Sequence, residues 1–165
     1  MALSSDILRS YRAPRAVLRE LGARERREGR ALFYLMLACA LIFVAQWPRL
    51  AREAHLSDAV PLQGLMAGAL FGWLFIAPLF FYGIGALLGL VLRLLRPVSD
   101  PYVARLALIW ALLAVSPLVL VQGALAALLG PGALALLTGL AVLAAFGAIL
   151  VAGLRVALEA GAGTA

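Results

Sequence analysis

His55 is the only histidine among the 165 residues, and Glu53, Ser57 and Asp58 all stand close to it. These are the residue types of a metal site or of a Ser-His-Asp arrangement, but neither chemistry suits the spacing. One loop supplies too few strong ligands to hold a metal. A triad needs its nucleophile, base and orienting acid brought together from separate places, not crowded into adjacent positions. The stretch PRLAREAHLSDAVPLQ reads instead as a short amphipathic helix, with Leu50, Ala54 and Leu56 toward lipid. No phosphate loop, GxSxG or HExxH pattern occurs in the chain. The lone Cys39 gives no disulfide framework.

The other polar groups lie inside long apolar runs: Cys39, Tyr82, Ser116, Gln122 and Thr138, with Gln46 near an interface. Ser116 can bond its own helix beside Pro117, and Gln122 can bond between helices. No Asp, Glu, Arg or His sits deep in a run, although ion pathways and proton relays need such groups. No catalytic, cofactor-binding or metal-ligating residue is therefore assigned, and an enzyme is not expected.

The elements that carry these residues follow from composition. Hydrophobic residues make up 65% of the chain and charged ones 13%, against about 45–50% and 25% in soluble domains. A small soluble fold cannot hide that much apolar surface, so the solvent is lipid. A hydrocarbon core of about 30 Å needs roughly 20 helical residues. Four segments qualify, at about 31–47, 64–92, 102–129 and 132–157. The last three exceed the minimum, so tilt or projection is expected. Trp47-Pro48 closes the first span, Arg96-Pro97 and Asp100-Pro101 bracket a turn, and Gly130-Pro131-Gly132 makes a tight reversal. The fold expected is all-α: a polytopic membrane bundle of four transmembrane helices with an N-terminal cytoplasmic amphipathic helix. Residues 1–30 form a basic head, 31–160 the membrane domain and 161–165 a flexible tail.

Charge sets the orientation. All 14 basic residues are arginine, which with the Ala, Leu and Gly content points to a GC-rich bacterial genome and not to nucleic-acid binding. With the head cytoplasmic, that side receives twelve arginines and the other only Arg49 and Arg52. This positive-inside bias puts both termini in the cytoplasm of a bacterial inner membrane. The head lacks a cleavage site and is expected to be retained. Within it, Ser4-Ser5-Asp6 starts one helix and Pro14 a second. Val17, Leu18 and Leu21 make an apolar stripe, and Glu20/Arg24 and Arg24/Glu28 can pair at four-residue spacing. Such a head can rest on the inner leaflet, dock a partner or stay solvated. Arg24, Arg26 and Arg27 are the candidates for cytoplasmic contact or anionic lipid.

Gly64, Gly68 and Gly72, with Gly85 and Gly89 further on, form a small-xxx-small pattern through which helix backbones approach closely. Ala144, Ala148 and Ala152 repeat the spacing. These glycines are the candidate packing or partner contacts. Pro78 and Pro117 kink the second and third spans, and such breaks can open a substrate site.

The head SDILRSYRAPRAVLRELG, followed by a later span YVARLALIWALLAVSPLVLV with an arginine at its start and a central proline, resembles the bacterial branch of the Yip1-domain family of multi-pass membrane proteins. The resemblance could cover roughly residues 5–155 and implies a helical membrane scaffold without catalytic residues. Eukaryotic relatives have five spans and a DLYGP-like head, which only Asp6 and Pro14 echo here. The function expected is that of a non-enzymatic scaffold, accessory or assembly subunit. It would contact membrane lipids and another membrane protein or a second copy, and no cofactor. The alternative is a small transporter or channel for an apolar or lipid-like solute, using the helices kinked at Pro78 and Pro117.

Overall fold

A computed structural model describes residues 3–24, 27–56, 61–96, 99–130 and 132–160. They form α1 (Leu3–Arg12), α2 (Pro14–Ala23), α3 (Glu28–Leu56), α4 (Leu62–Leu95), α5 (Pro101–Leu129) and α6 (Ala133–Ala160), with no strand among them. Helices α3 to α6 are each long and apolar enough to cross a membrane, so the chain is a multi-pass membrane protein.

Helix α5 stands at the centre, packed by α3, α4 and α6. Its start is fixed locally. Asp100 accepts from the N–H groups of Tyr102 (3.0 Å) and Val103 (3.4 Å), and Pro101 takes the first helical position, where its missing donor costs nothing. Gly130 ends it at φ +74°, a left-handed conformation that suits glycine. Within α5, Pro117 cannot bond the Leu113 carbonyl, and the Ser116 hydroxyl donates to that oxygen at 2.8 Å.

Trp47-Pro48 does not close α3, which runs unbroken to Leu56. Residues 48–56 of the loop expected as a separate surface helix are the last turns of α3, and Leu50 is buried against protein, not turned to lipid. Arg52 explains the continuation. Its guanidinium donates to the Ala127 carbonyl at 3.1 Å and the Ala126 carbonyl at 3.5 Å, tying the extension to the end of α5. Those oxygens belong to the last turn, where carbonyls run short of backbone donors; Ala126 also accepts from the Gly130 N–H at 3.0 Å.

Helix α4 carries a π-helical turn at Gly72–Ile76, directly before Pro78. Ala77 donates to the Gly72 carbonyl five residues back, so the bulge absorbs the register that the proline disturbs.

The head splits at Ala13, and Pro14 opens α2. In place of the leaflet, a partner or free solvent, its apolar side chains have the bundle. Val17, Leu18 and Leu21 are fully buried in one core with Tyr34, Leu35 and Cys39 of α3, Val103, Leu106, Trp110 and Leu113 of α5 and Ile149 and Val156 of α6.

Candidate functional site

Of the five glycines singled out in sequence, two meet another helix. A Cβ on Gly85 would lie 3.1 Å from Arg105 Cγ, and one on Gly89 3.0 Å from the Pro101 carbonyl oxygen. Both are buried where α4 crosses the start of α5. Gly68 and Gly72 have nothing within 4 Å of the position a Cβ would take, and Gly64 is exposed. This stripe continues into a groove of about 420 Å³ on the outward side of α4, walled by Ala69, Gly72, Trp73, Ile76 and Phe80. On α6, Ala152 is buried while Ala144 and Ala148 are exposed.

The closest helix approach uses a different glycine. At Gly123 the α5 backbone touches the Ala45 carbonyl of α3, and any Cβ there would overlap it. Gly153 of α6 likewise sits under Leu18 and Ala107. Both open a small-xxx-small pair, Gly123 with Ala127 and Gly153 with Ala157, a signal that glycine spacing alone passes over.

The head is locked by polar contacts as well as by its apolar stripe. The Trp110 indole N–H donates to Ser10 Oγ at 2.8 Å, and that hydroxyl donates to the Asp6 carbonyl at 2.8 Å. Tyr11 donates its hydroxyl to the Ala114 carbonyl. Arg9 lies 3.7 Å from Asp6 within α1, and the other ion pairs of the head reach beyond one helix and not to the i,i+4 partners expected. Arg9 pairs bidentately with Glu20 (2.8 and 3.2 Å), Arg19 meets Glu159 at 2.5 Å, and Arg24 lies 3.9 Å from Asp6. The Arg9 hydrogen bond and charge hold the Glu20 carboxyl below its ordinary range. The sequence signal for this contact is Trp110 itself, since an indole N–H inside a span needs an acceptor.

A second cluster joins three membrane helices. Glu28 of α3 accepts from the Tyr82 hydroxyl of α4 at 2.6 Å and from Arg105 of α5 at 2.7 Å, and the Arg105 guanidinium carbon lies 5.5 Å from the centre of the Tyr82 ring. Beside it, Pro78 lines a groove of about 410 Å³ with Glu28, Gly29, Leu32, Leu79 and Tyr82. Pro117 is exposed on α5 and forms no part of that wall.

At the opposite end, a groove of about 280 Å³ runs between α3 and α5. Gln46, Arg49 and Gln122 line it with Val119, Gly123 and Ala126.

Of the arginines singled out in the head, Arg24 faces Asp6, Arg27 is exposed, and Arg26 lies outside the described residues. His55 is exposed at the end of α3, while Ser57 and Asp58 also lie outside them. Among the described residues no three His, Cys, Asp or Glu side chains converge. No family model matches the chain, and neither the curated proteins nor the solved structures contain a match to it.

Proposed function

We propose that this chain is a non-enzymatic scaffold or assembly subunit of a bacterial inner membrane, with both termini cytoplasmic, working through lateral contacts of α4. One observation carries the reading. Gly68 and Gly72 leave open space where side chains would stand, on the least covered half of a helix whose other half is pinned to α5. Association in lipid depends on such close backbone approach, because hydrocarbon offers no hydrophobic drive between helices. The Yip1-domain resemblance fits a scaffold and rests on the head and the Arg105–Pro117 span.

The test is mild extraction of the full chain followed by identification of whatever co-purifies. Gly68→Ile should abolish recovery of a reproducible partner or second copy while the thermal midpoint of the chain itself stays unchanged. Repeated isolation of the wild-type chain as a lone monomer would refute the proposal. The transporter alternative has a weaker basis, because Pro78 and Pro117 do not face a shared groove.

A further inference from the structure

The groove between α3 and α5 at the end away from the head collects polar side chains that the fold leaves unused. Gln46 and Arg49 stand one turn apart on α3, and Gln122 faces them from α5. Among the described residues none of the three has a hydrogen bond or ion pair to another side chain or to the backbone. Glu53, one turn beyond Arg49, does not pair with it there. The neighbouring arginine behaves differently, since Arg52 is spent on the Ala126 and Ala127 carbonyls. The groove's floor is backbone, because Gly123 brings α5 onto Ala45 of α3. Gln122 also reaches the bare face of α6, its amide nitrogen lying 2.9 Å from where a Gly139 Cβ would be.

Chemistry selects the ligand. A guanidinium carries five N–H donors and each amide two, against one acceptor oxygen per amide. A donor-rich pocket with a fixed positive charge suits an oxyanion, and the planar fork of arginine matches phosphate oxygens two at a time. Depth agrees with this. Arg52 marks the last turn of α5, and Arg49 lies three residues inward on α3, about 4.5 Å. That is the level at which a spanning helix meets lipid headgroups, where an unpaired donor is costly once water is scarce.

We propose that Gln46, Arg49 and Gln122 bind a phosphate group, with Arg49 as the charged clamp and the two amides completing its oxygen contacts. The volume admits a phosphodiester with a few attached atoms and leaves any acyl chains to lie along the outer faces of α3 and α5. The ligand class is thus a phospholipid headgroup or a soluble phosphate, joined by the same chemistry. The site is independent of the α4 face.

The experiment is native mass spectrometry of the full chain, delipidated in detergent and then offered phosphatidylglycerol, diacylglycerol or inorganic phosphate. The expected result is one phosphatidylglycerol retained per chain, diacylglycerol not retained, and occupancy lowered at least tenfold by Arg49→Gln and by Gln122→Leu. Protection of the buried Cys39 thiol from maleimide reports that each variant is folded. If inorganic phosphate binds in an Arg49-dependent way while phosphatidylglycerol does not, the phosphate site stands and its ligand is soluble. Equal retention of diacylglycerol and phosphatidylglycerol, or unchanged retention in both folded variants, would overturn the assignment.

Discussion

Leu18 offers the sharpest test of how the head is held. Its side chain is fully buried and rests on Gly153 of α6 and Ala107 of α5. A Cβ on Gly153 would come 2.8 Å from Leu18 Cδ1 and 2.6 Å from Ala107 Cβ. Leu18→Ala removes three carbons from a seat formed by three helices. Truncations of this kind cost about 2–5 kcal/mol in a packed core. The lower part of that range applies here, because short helices at a rim can settle. Taking about 3 kcal/mol, the open fraction of the head rises roughly a hundredfold. Amide hydrogen exchange across α1 and α2 in nanodiscs reads that fraction directly, and α5 serves as the internal reference. A head that opens into water should show the full effect. One that opens into hydrocarbon regains the transfer part and shows about tenfold, since lipid is as apolar as leucine. Exchange of the head at equal rates in wild type and variant would refute the docked arrangement, as would an unprotected head in the wild type.

Gly123→Ala should cost about 1–3 kcal/mol by forcing α5 off the Ala45 backbone, read as faster maleimide labelling of Cys39. Gly68→Ala, into open space, should leave that rate unchanged or slow it, because alanine favours helix by about 1 kcal/mol over glycine. Arg52→Gln removes a charged donor from the last turn of α5. The expected loss is about 1–2 kcal/mol, seen as faster exchange near Ala126 and Ala127. Glu20 gives a pH test. Its folded-state pKa is depressed by Arg9, so its contribution is complete above the free carboxylate value of about 4.3 and fades as pH falls through the folded value. Head protection should weaken in that window, and Glu20→Gln should reduce the dependence, leaving the part due to the Arg19–Glu159 pair. Brominated lipids should quench Trp47, which is 47% exposed, and leave Trp110, which is 0% exposed, unquenched.

The four spans were legible because their signal is cumulative: apolar runs longer than a bilayer needs, divided by proline and glycine. Local devices were legible for the same reason. Pro14 opens α2, Gly130 closes α5, and Ser116 bonds beside Pro117, each within a few residues of its partner. Pro48 misled because a proline removes one donor but does not forbid a helix that another helix supports. The pairing of Arg52 with carbonyls more than seventy residues away and the burial of Leu50 supply that support. The head shows the same limit. Its i,i+4 charges were visible, but Glu20, Arg24 and Glu28 find Arg9, Asp6 and Arg105 instead, and such choices depend on tertiary proximity. The glycine stripe was visible as spacing, yet spacing does not distinguish Gly85 and Gly89, which meet α5, from Gly68 and Gly72, which meet nothing.

The length of α5 ties the head to the bilayer. Its 29 residues rise about 43 Å, some 13 Å more than the hydrocarbon core. From Arg105 to Ala126, the level that Arg52 caps, the rise is about 31 Å, which matches that core. Charged side chains then mark both edges: Glu28 and Arg105 at one, Arg49 and Arg52 at the other. On this placement the excess of α5 is shared, about 6 Å beyond Arg105 at the head end and about 4.5 Å beyond Ala126 at the other, and Trp110 falls about 7 Å inside the edge set by Arg105. An indole N–H and a serine hydroxyl at that depth have no water to turn to. Ser10 and Trp110 therefore satisfy each other, and α1 is drawn down beside α5 instead of lying flat above it. This also accounts for α5 being buried on nearly every side from Tyr102 to Ser116 while Pro117, Val121, Leu128 and Leu129 are exposed. Protein sheathes the half that the head reaches, and lipid covers the half it does not.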